Sequence, residues 1–168
     1  IINGLLFLNL LAGFFSGGEW VLINEIFFTC KLITAAKNIL NLGTLIISLQ
    51  AYYWLRLHKH VIEFYILLLS TLLGMFFMIS ACNLLKFDLG LELGSIPLAA
   101  MANFDLSRRQ SSEGAMKFII SSAFSSGLLL FGISLLYGTT GTLVFSALPQ
   151  YLTGTALQLF ALVLLIGG

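Results

Sequence analysis

Apolar residues run along this chain in long, unpatterned stretches, broken by short clusters of Gly, Pro, Asn, Thr and charged side chains. A helix of about 20 apolar residues crosses a hydrocarbon layer of about 30 Å, so each such stretch is a candidate membrane span. From Phe118 to Gly168 there is no charged residue at all, and the run divides around Gly138, Thr139, Thr140, Gly141 and Pro149, residues that punctuate helices. Spans are thus predicted near 114–137 and 151–168, the second truncated. Residues 61–104 are too long for one crossing and suit two, 61–80 and 81–104, with a tight uncharged turn at Ala81 to Asn83. Upstream, 27–54 predicts a longer helix and 4–15 a partial one. The fold class is all-α, a polytopic transmembrane helix bundle of about five complete or near-complete spans plus a truncated terminal span, in one membrane domain.

Composition agrees with that pattern. Of 168 residues, 59% are hydrophobic and 9% charged, and the mean hydropathy is +1.03. Soluble domains devote about a quarter of their residues to Asp, Glu, Lys and Arg. This surface must meet a lipid bilayer, and a net charge of +1 carries no nucleic-acid footprint. Cys30 and Cys82 lack the spacing of a zinc site or a redox pair and read as buried small hydrophobes. The chain opens on Ile1 and Ile2, without an initiator Met, and ends in an apolar run, which reads as part of a longer polypeptide.

Basic residues orient the bundle. Arg56 and Lys59 lie in the 55–60 connection, and Arg108 and Arg109 in the 104–113 connection, two spans later and so on the same face. The opposite connections hold no Lys or Arg, and the positive-inside rule makes 55–60 and 104–113 cytoplasmic.

An ionisable group within a bilayer costs about 2.5 to 3.5 kcal/mol on insertion scales, so each one needs a partner, water or a role. Glu92 is the strongest candidate, between Gly90 and Gly94 with Pro97 five residues on. The glycines admit a neighbouring helix, and Pro97 removes a backbone donor and frees a carbonyl one turn earlier. Asp88, Glu92, Ser95 and Ala99 share one helical face, while Lys117, Ser121 and Ser125 recur at i+4 on the next helix. Serines alone serve close packing, but stripes that include charges fit a hydrated proton path. At 1.5 Å per residue Glu92 is about 18 Å from its cytoplasmic helix end and the Lys117 backbone about 8 Å from its own, a separation suited to water bridging. The residues leave two readings of Lys117 open, this path or snorkelling to the interface.

Other polar residues rank lower. Lys86 and Asp88 lie one to two turns into their span and point to different faces, as interfacial or locally paired groups, and Lys37 is a second-tier candidate on the long helix with Asn38 and Asn41. His58 and His60 read as solvated, and Ser111 or Ser112 as a helix cap. No nucleophile elbow, phosphate-binding loop, dinucleotide fingerprint, metal cluster or haem motif is present, so no metal ligand or cofactor-binding residue is assigned.

The run Gly90-Leu91-Glu92-Leu93-Gly94-Ser95-Ile96-Pro97-Leu98, then Ser111-Ser112-Glu113-Gly114-Ala115-Met116-Lys117-Phe118, Ala123-Phe124-Ser125-Ser126-Gly127 and Tyr137-Gly138-Thr139-Thr140-Gly141, resembles the subunit N family of bacterial NADH-quinone oxidoreductase, respiratory complex I. The resemblance covers residues 61–141 and includes the 25-residue interval from Glu92 to Lys117. It implies an antiporter-like fold of which this chain holds an early block, with Glu92 as an essential proton-path carboxylate and Lys117 in the same polar channel. It also implies a subunit of an NADH:quinone oxidoreductase in the bacterial inner membrane, with other membrane-arm subunits as partners. NADH, flavin, iron-sulfur clusters and quinone are then expected in partner subunits and no redox centre in this chain. Lys86 and Asp88 fall where that family is usually apolar. The alternatives are a subunit of a related cation/proton antiporter or membrane-bound hydrogenase and, in a different class, an inert membrane scaffold.

Overall fold

The computed structural model describes residues 2–15, 20–22, 27–29, 31–55, 60–104 and 109–168. Its helices are α1 (Ile2–Phe15), α2 (Lys31–Leu55), α3 (Val61–Ile79), α4 (Leu84–Ala102), α5 (Arg109–Thr140), α6 (Leu148–Tyr151) and α7 (Ala156–Gly167). A short antiparallel pair, β1 (Trp20–Leu22) and β2 (Phe27–Thr29), sets Trp20 opposite Thr29. This pair departs from the helical reading, in which 27–54 forms one helix. The aromatic and β-branched residues Phe27, Phe28 and Thr29 suit an extended ladder, and the helix starts only at Lys31.

Among the described residues, three helices are suited by length and composition to cross a membrane: α2, α3 and α5. At 19 residues α4 is long enough, but it carries Lys86, Asp88 and Glu92. With 32 residues α5 is about 48 Å long, well beyond a hydrocarbon layer of about 30 Å. Its uncharged part begins at Phe118, so the turns carrying Arg109, Glu113 and Lys117 lie towards or beyond one edge of the apolar zone.

The helices pack in chain order, α1 on α2, α2 on α3, α3 on α4 and α4 on α5, after which α7 folds back on α5. The α3–α4 hairpin is the tightest contact. A Cβ added at Gly74 would lie 2.4 Å from the backbone nitrogen of Gly94, and one at Gly90 would lie 2.5 Å from that of Met78. Only glycine allows this approach. Gly94 is different: its own Cβ would meet nothing closer than 3.9 Å, so it serves as the flat surface on which Gly74 rests.

Apolar packing closes the two ends. Leu55, Phe64, Tyr65 and Leu68 form one cluster, where the Phe104 ring meets Phe64 edge-on at 5.4 Å between centroids. Leu136, Leu148 and Ala161 form another, and a Cβ at Gly132 would sit 3.0 Å from the Ala161 carbonyl. Backbone hydrogen bonds from Leu84 to the Leu143 carbonyl (3.0 Å) and from Phe145 to the Cys82 carbonyl (3.1 Å) staple the turn before α4 to the turn after α5. Cys82 is half-buried in that turn, not a core residue, and Cys30 lies outside the described residues.

Candidate functional site

Helix α4 carries the site. Asn83 caps it, its side chain accepting the Lys86 amide at 2.8 Å, and this fixes the register of Lys86, Asp88 and Glu92 in the first turns. Pro97 lies inside the helix, so the Leu93 carbonyl loses its i+4 donor. Leu93 and Gly94 are also the residues whose backbone Gly74 touches. Glu92 is therefore level with the closest approach of two helices but, two residues from both Gly90 and Gly94, on the side of α4 turned away from α3, beside a stretch of α4 that lacks one hydrogen bond.

Glu92 is half-buried, and among the described residues no cation or donor side chain bonds its carboxylate. Ser95 is half-buried too, but its hydroxyl donates to the backbone carbonyl of Glu92 at 3.3 Å, not to the carboxylate. One turn earlier is Asp88, 2% exposed, with its Oδ1 unpaired. This corrects the expectation of an interfacial or locally paired aspartate: the fold buries Asp88, and among the described residues its Oδ1 has no hydrogen-bond partner.

Lys117 does not meet Glu92. Its Nζ lies 2.7 Å from Glu113 Oε1, one turn back on α5, and the two side chains are 75% and 62% exposed. The expected stripe of Lys117, Ser121 and Ser125 runs along a face of α5 that is largely exposed in this chain, whereas the buried face carries Ala115, Ser126, Leu129, Gly132, Ile133 and Leu136. A buried Glu and Lys facing each other across α4 and α5 is thus not what these residues form. The physical reason is local: an i,i+4 partner of opposite sign is always within reach on a helix. Nor do Ser111 and Ser112 cap α5. Their hydroxyls reach back to the end of α4, to the Ala102 carbonyl (2.9 Å) and to Asn103 Oδ1 (2.8 Å). Starting from those contacts, the rise of both helices brings the Lys117 backbone level with about Pro97, and so about 8 Å towards the 104–109 connection from Glu92.

Lys86 is half-buried and lines an apolar cavity of about 340 Å³ with Phe77, Leu89, Gly90 and Leu93. Lys37 belongs to a second cavity of about 290 Å³, walled by Asn9, Thr34, Asn38, Asn41 and Phe76, and its Nζ stands 6.0 Å from the centroid of the Phe76 ring. Asn41, 2% exposed, donates to the Leu6 carbonyl at 3.3 Å, and Ser48 bonds Asn3, which ties α1 to α2 through polar contacts. His60 bonds Glu63 at 2.9 Å at the start of α3, while Arg56, His58, Lys59 and Arg108 lie outside the described residues. Among the described residues no three His, Cys, Asp or Glu side chains gather as a metal site.

A polar hub not anticipated from the sequence stands before α7. Gln158, 2% exposed, accepts from the amides of Thr153 (2.9 Å) and Gly154 (3.0 Å) and donates to the Tyr151 carbonyl (3.1 Å). Gly154 there has φ of +73°, open to glycine without strain.

The profile of the NADH:quinone oxidoreductase/Mrp antiporter transmembrane family matches residues 81–168, more than half the chain and all of α4, α5 and α7. The chain belongs to that family. Within the NADH:quinone oxidoreductase/Mrp antiporter family it is similar to NADH-quinone oxidoreductase subunit N of Phocaeicola vulgatus, 47% identical over 154 residues, covering 89% of this chain and 32% of the relative. It is also similar to F(420)H(2) dehydrogenase subunit N of Methanosarcina mazei, 36% identical over 127 residues, covering 74% of this chain and 26% of the relative. Among solved structures, respiratory complex I from Thermus thermophilus with bound aureothin superposes with a TM-score of 0.77 at 29% identity, over 97% of this chain and 35% of the matched chain. The chain spans between about a quarter and about a third of the length of these relatives. It is an integral membrane protein with the family's antiporter-like helix bundle.

Proposed function

We propose that this chain is part of a proton-translocating membrane subunit of an NADH-quinone oxidoreductase, with Glu92 as the proton-carrying carboxyl of α4. The observation that carries the reading is the placement of Glu92, a half-buried carboxylate with no salt-bridge partner among the described residues, in the middle of α4, level with the Gly74–Gly94 contact and one turn from the Pro97 break. An ion kept at such a position is costly, and packing alone has no use for it. Similarity to subunit N proteins, and to a complex I chain, supports the reading.

On this reading Lys117 is the second proton-path group, level with Pro97 and held by Glu113. Its exposed face on α5, with Ser121 and Ser125, meets other parts of a subunit whose relatives are much longer. Lys37 in its polar cavity, and Lys86 and Asp88 on α4, are second-rank groups. The chain forms a single membrane domain in the bacterial inner membrane, with connections 55–60 and 104–113 on the cytoplasmic side. Its partners are other membrane-arm subunits, and NADH, flavin, iron-sulfur clusters and quinone belong to partner subunits of the complex.

A neighbouring reading keeps the proton chemistry and changes the electron donor. It is favoured by the similarity to a subunit of an F(420)H(2) dehydrogenase. Purification of the intact complex from native membranes separates the two. Co-purifying NADH oxidation, coupled to vesicle acidification that Glu92→Gln reduces, supports the first. Acidification driven only by another donor supports the second. Acidification indifferent to Glu92→Gln refutes the role of Glu92 in both.

A further inference from the structure

Three helix ends meet around the cavity of about 290 Å³ that holds Lys37. Asn9 and Gly13 come from the last two turns of α1, Lys37, Asn38 and Asn41 from the first three turns of α2, and Phe76 from the last turn of α3. The lining is polar in an otherwise apolar body, and it is not satisfied within the protein. Asn41, 2% exposed, gives its amide to the Leu6 carbonyl, but its Oδ1 is buried without a partner. The Asn38 side chain lies over Gly13 and leaves no room there for a Cβ. Buried polar groups are ordinarily satisfied by protein or by ordered water, so Asn41 Oδ1 marks a place that something else fills.

The charge of the cavity is unbalanced as well. Among the described residues Lys37 has no salt-bridge partner, and its Nζ faces the Phe76 ring, 6.0 Å from the centroid, at the outer limit of a cation–π contact. Helices α1 and α2 hold no acid, Glu63 is at the opposite end of α3 and bonded to His60, and Asp88 and Glu92 belong to α4. Glu19 and Glu25 lie outside the described residues. Lys37 is six residues from the start of α2, about 9 Å along its axis, and the 25 residues of α2 exceed a hydrocarbon layer of about 30 Å by about 7 Å. Extended towards that edge, the lysine head group reaches the level of lipid phosphates. Towards the bilayer middle, one turn below Asn9 and Ala12 on the same face of α1, Leu5 and Leu8 are 60% and 59% exposed. A cation among hydrogen-bonding groups at the edge, with exposed apolar side chains beneath, matches a phospholipid in both chemistry and order.

We propose that the cavity between α1, α2 and α3 binds the phosphate of an anionic phospholipid from the adjoining leaflet, with Lys37 as its counter-ion and an acyl chain along Leu5 and Leu8 of α1. Lysine binds phosphate as a point charge, and basic pockets between membrane helices take lipid head groups. Asn9 and Asn38 offer amide donors to the other phosphate oxygens. A water that donates one hydrogen bond to Asn41 Oδ1 and one to a phosphate oxygen completes the lining. The cavity has room for a phosphate group with such waters, each of which takes about 30 Å³ of liquid volume. Lys37 thereby holds a ligand and not a proton in transit, whether or not Glu92 carries protons.

The test uses the full-length subunit in its assembled complex, delipidated in a neutral detergent. The probe is phosphatidylglycerol with a photoactivatable group on an acyl chain, added at low concentration, and mass spectrometry maps the label. Label is expected on residues 2–15. Lys37→Met is expected to lower it about tenfold or more, the size of a lost hydrogen bond to a charged group, and Lys37→Arg, which keeps the charge, to retain it. Diacylglycerol with the same photoactivatable chain lacks the phosphate and is expected to label α1 weakly. Excess inorganic phosphate, which lacks the acyl chain, is expected to leave the label in place. Absence of label on α1, or equal label in Lys37→Met, overturns the proposal. Label displaced by inorganic phosphate makes the site one for a free anion and overturns the lipid as its occupant. If Lys37→Met does not assemble, the two probes decide on the unmodified complex: stronger labelling by phosphatidylglycerol supports the phosphate site, and equal labelling by diacylglycerol overturns it.

Discussion

Gly74 of α3 rests on the backbone of Gly94 of α4, so closely that a methyl group at position 74 would stand 2.4 Å from the Gly94 nitrogen. This contact fixes the face that α4 turns to α3, and Asp88 and Glu92, each two residues from Gly90, lie on the opposite face.

The contact is asymmetric, which makes it testable. Gly74→Ala and Gly90→Ala push a carbon into backbone that cannot move aside, and each is expected to cost about 1 to 3 kcal/mol, the usual range for overpacking. Gly94→Ala meets only ordinary contacts and is expected to be tolerated. Thermal inactivation of the assembled complex ranks the three variants. Equal losses in all three would show that the hairpin is packed in another register.

Lys117 and Glu113 are paired but well exposed, and such pairs contribute less than about 1 kcal/mol. Breaking the pair is therefore expected to leave assembly and thermal stability close to unchanged. Pumping is the discriminating measurement: Lys117→Met is expected to reduce it, because the cation itself is needed, while Glu113→Gln is expected to leave most of it. Equal loss in both variants would make the ion pair, not the lysine, the working unit.

Gln158 satisfies two loop amides and one carbonyl ahead of α7. Gln158→Leu keeps most of the volume and strips those partners, and an unsatisfied buried polar group costs about 1 to 3 kcal/mol. The variant is expected to lose stability on that scale, with a less ordered approach to α7, as read by thermal inactivation and by proteolysis between Tyr151 and Thr155. Wild-type behaviour in both would show that the hub is not formed.

The helices were legible in the sequence because a membrane span needs only length and apolarity, both visible in the runs themselves. The turn at Ala81 to Asn83 was legible for the same reason, as the one interruption in a run too long for a single crossing. Glu92 stood out as a charge in such a run. What was not legible depends on register between helices. Asp88 reads as interfacial because it is near a helix end, whereas in the fold that end is stapled to residues 143–145 and Asp88 is buried. For Lys117 the sequence leaves open a water-bridged relation to Glu92 or snorkelling to the interface, and which side chain it meets, here Glu113 one turn back, depends on how α5 turns against α4. The Gln158 hub required knowing that the chain bends between Tyr151 and Thr155 instead of running on as helix. The β1–β2 pair was hidden in residues apolar enough to pass for the start of α2.

The most direct measurement is the number of protons moved per electron in sealed vesicles containing the assembled complex, for Glu92→Gln and Glu92→Asp side by side. Glu92→Gln removes the exchangeable proton and is expected to lower the ratio clearly below that of the unmodified complex, while Glu92→Asp keeps the acid and is expected to pump. Full pumping by assembled Glu92→Gln would contradict the account.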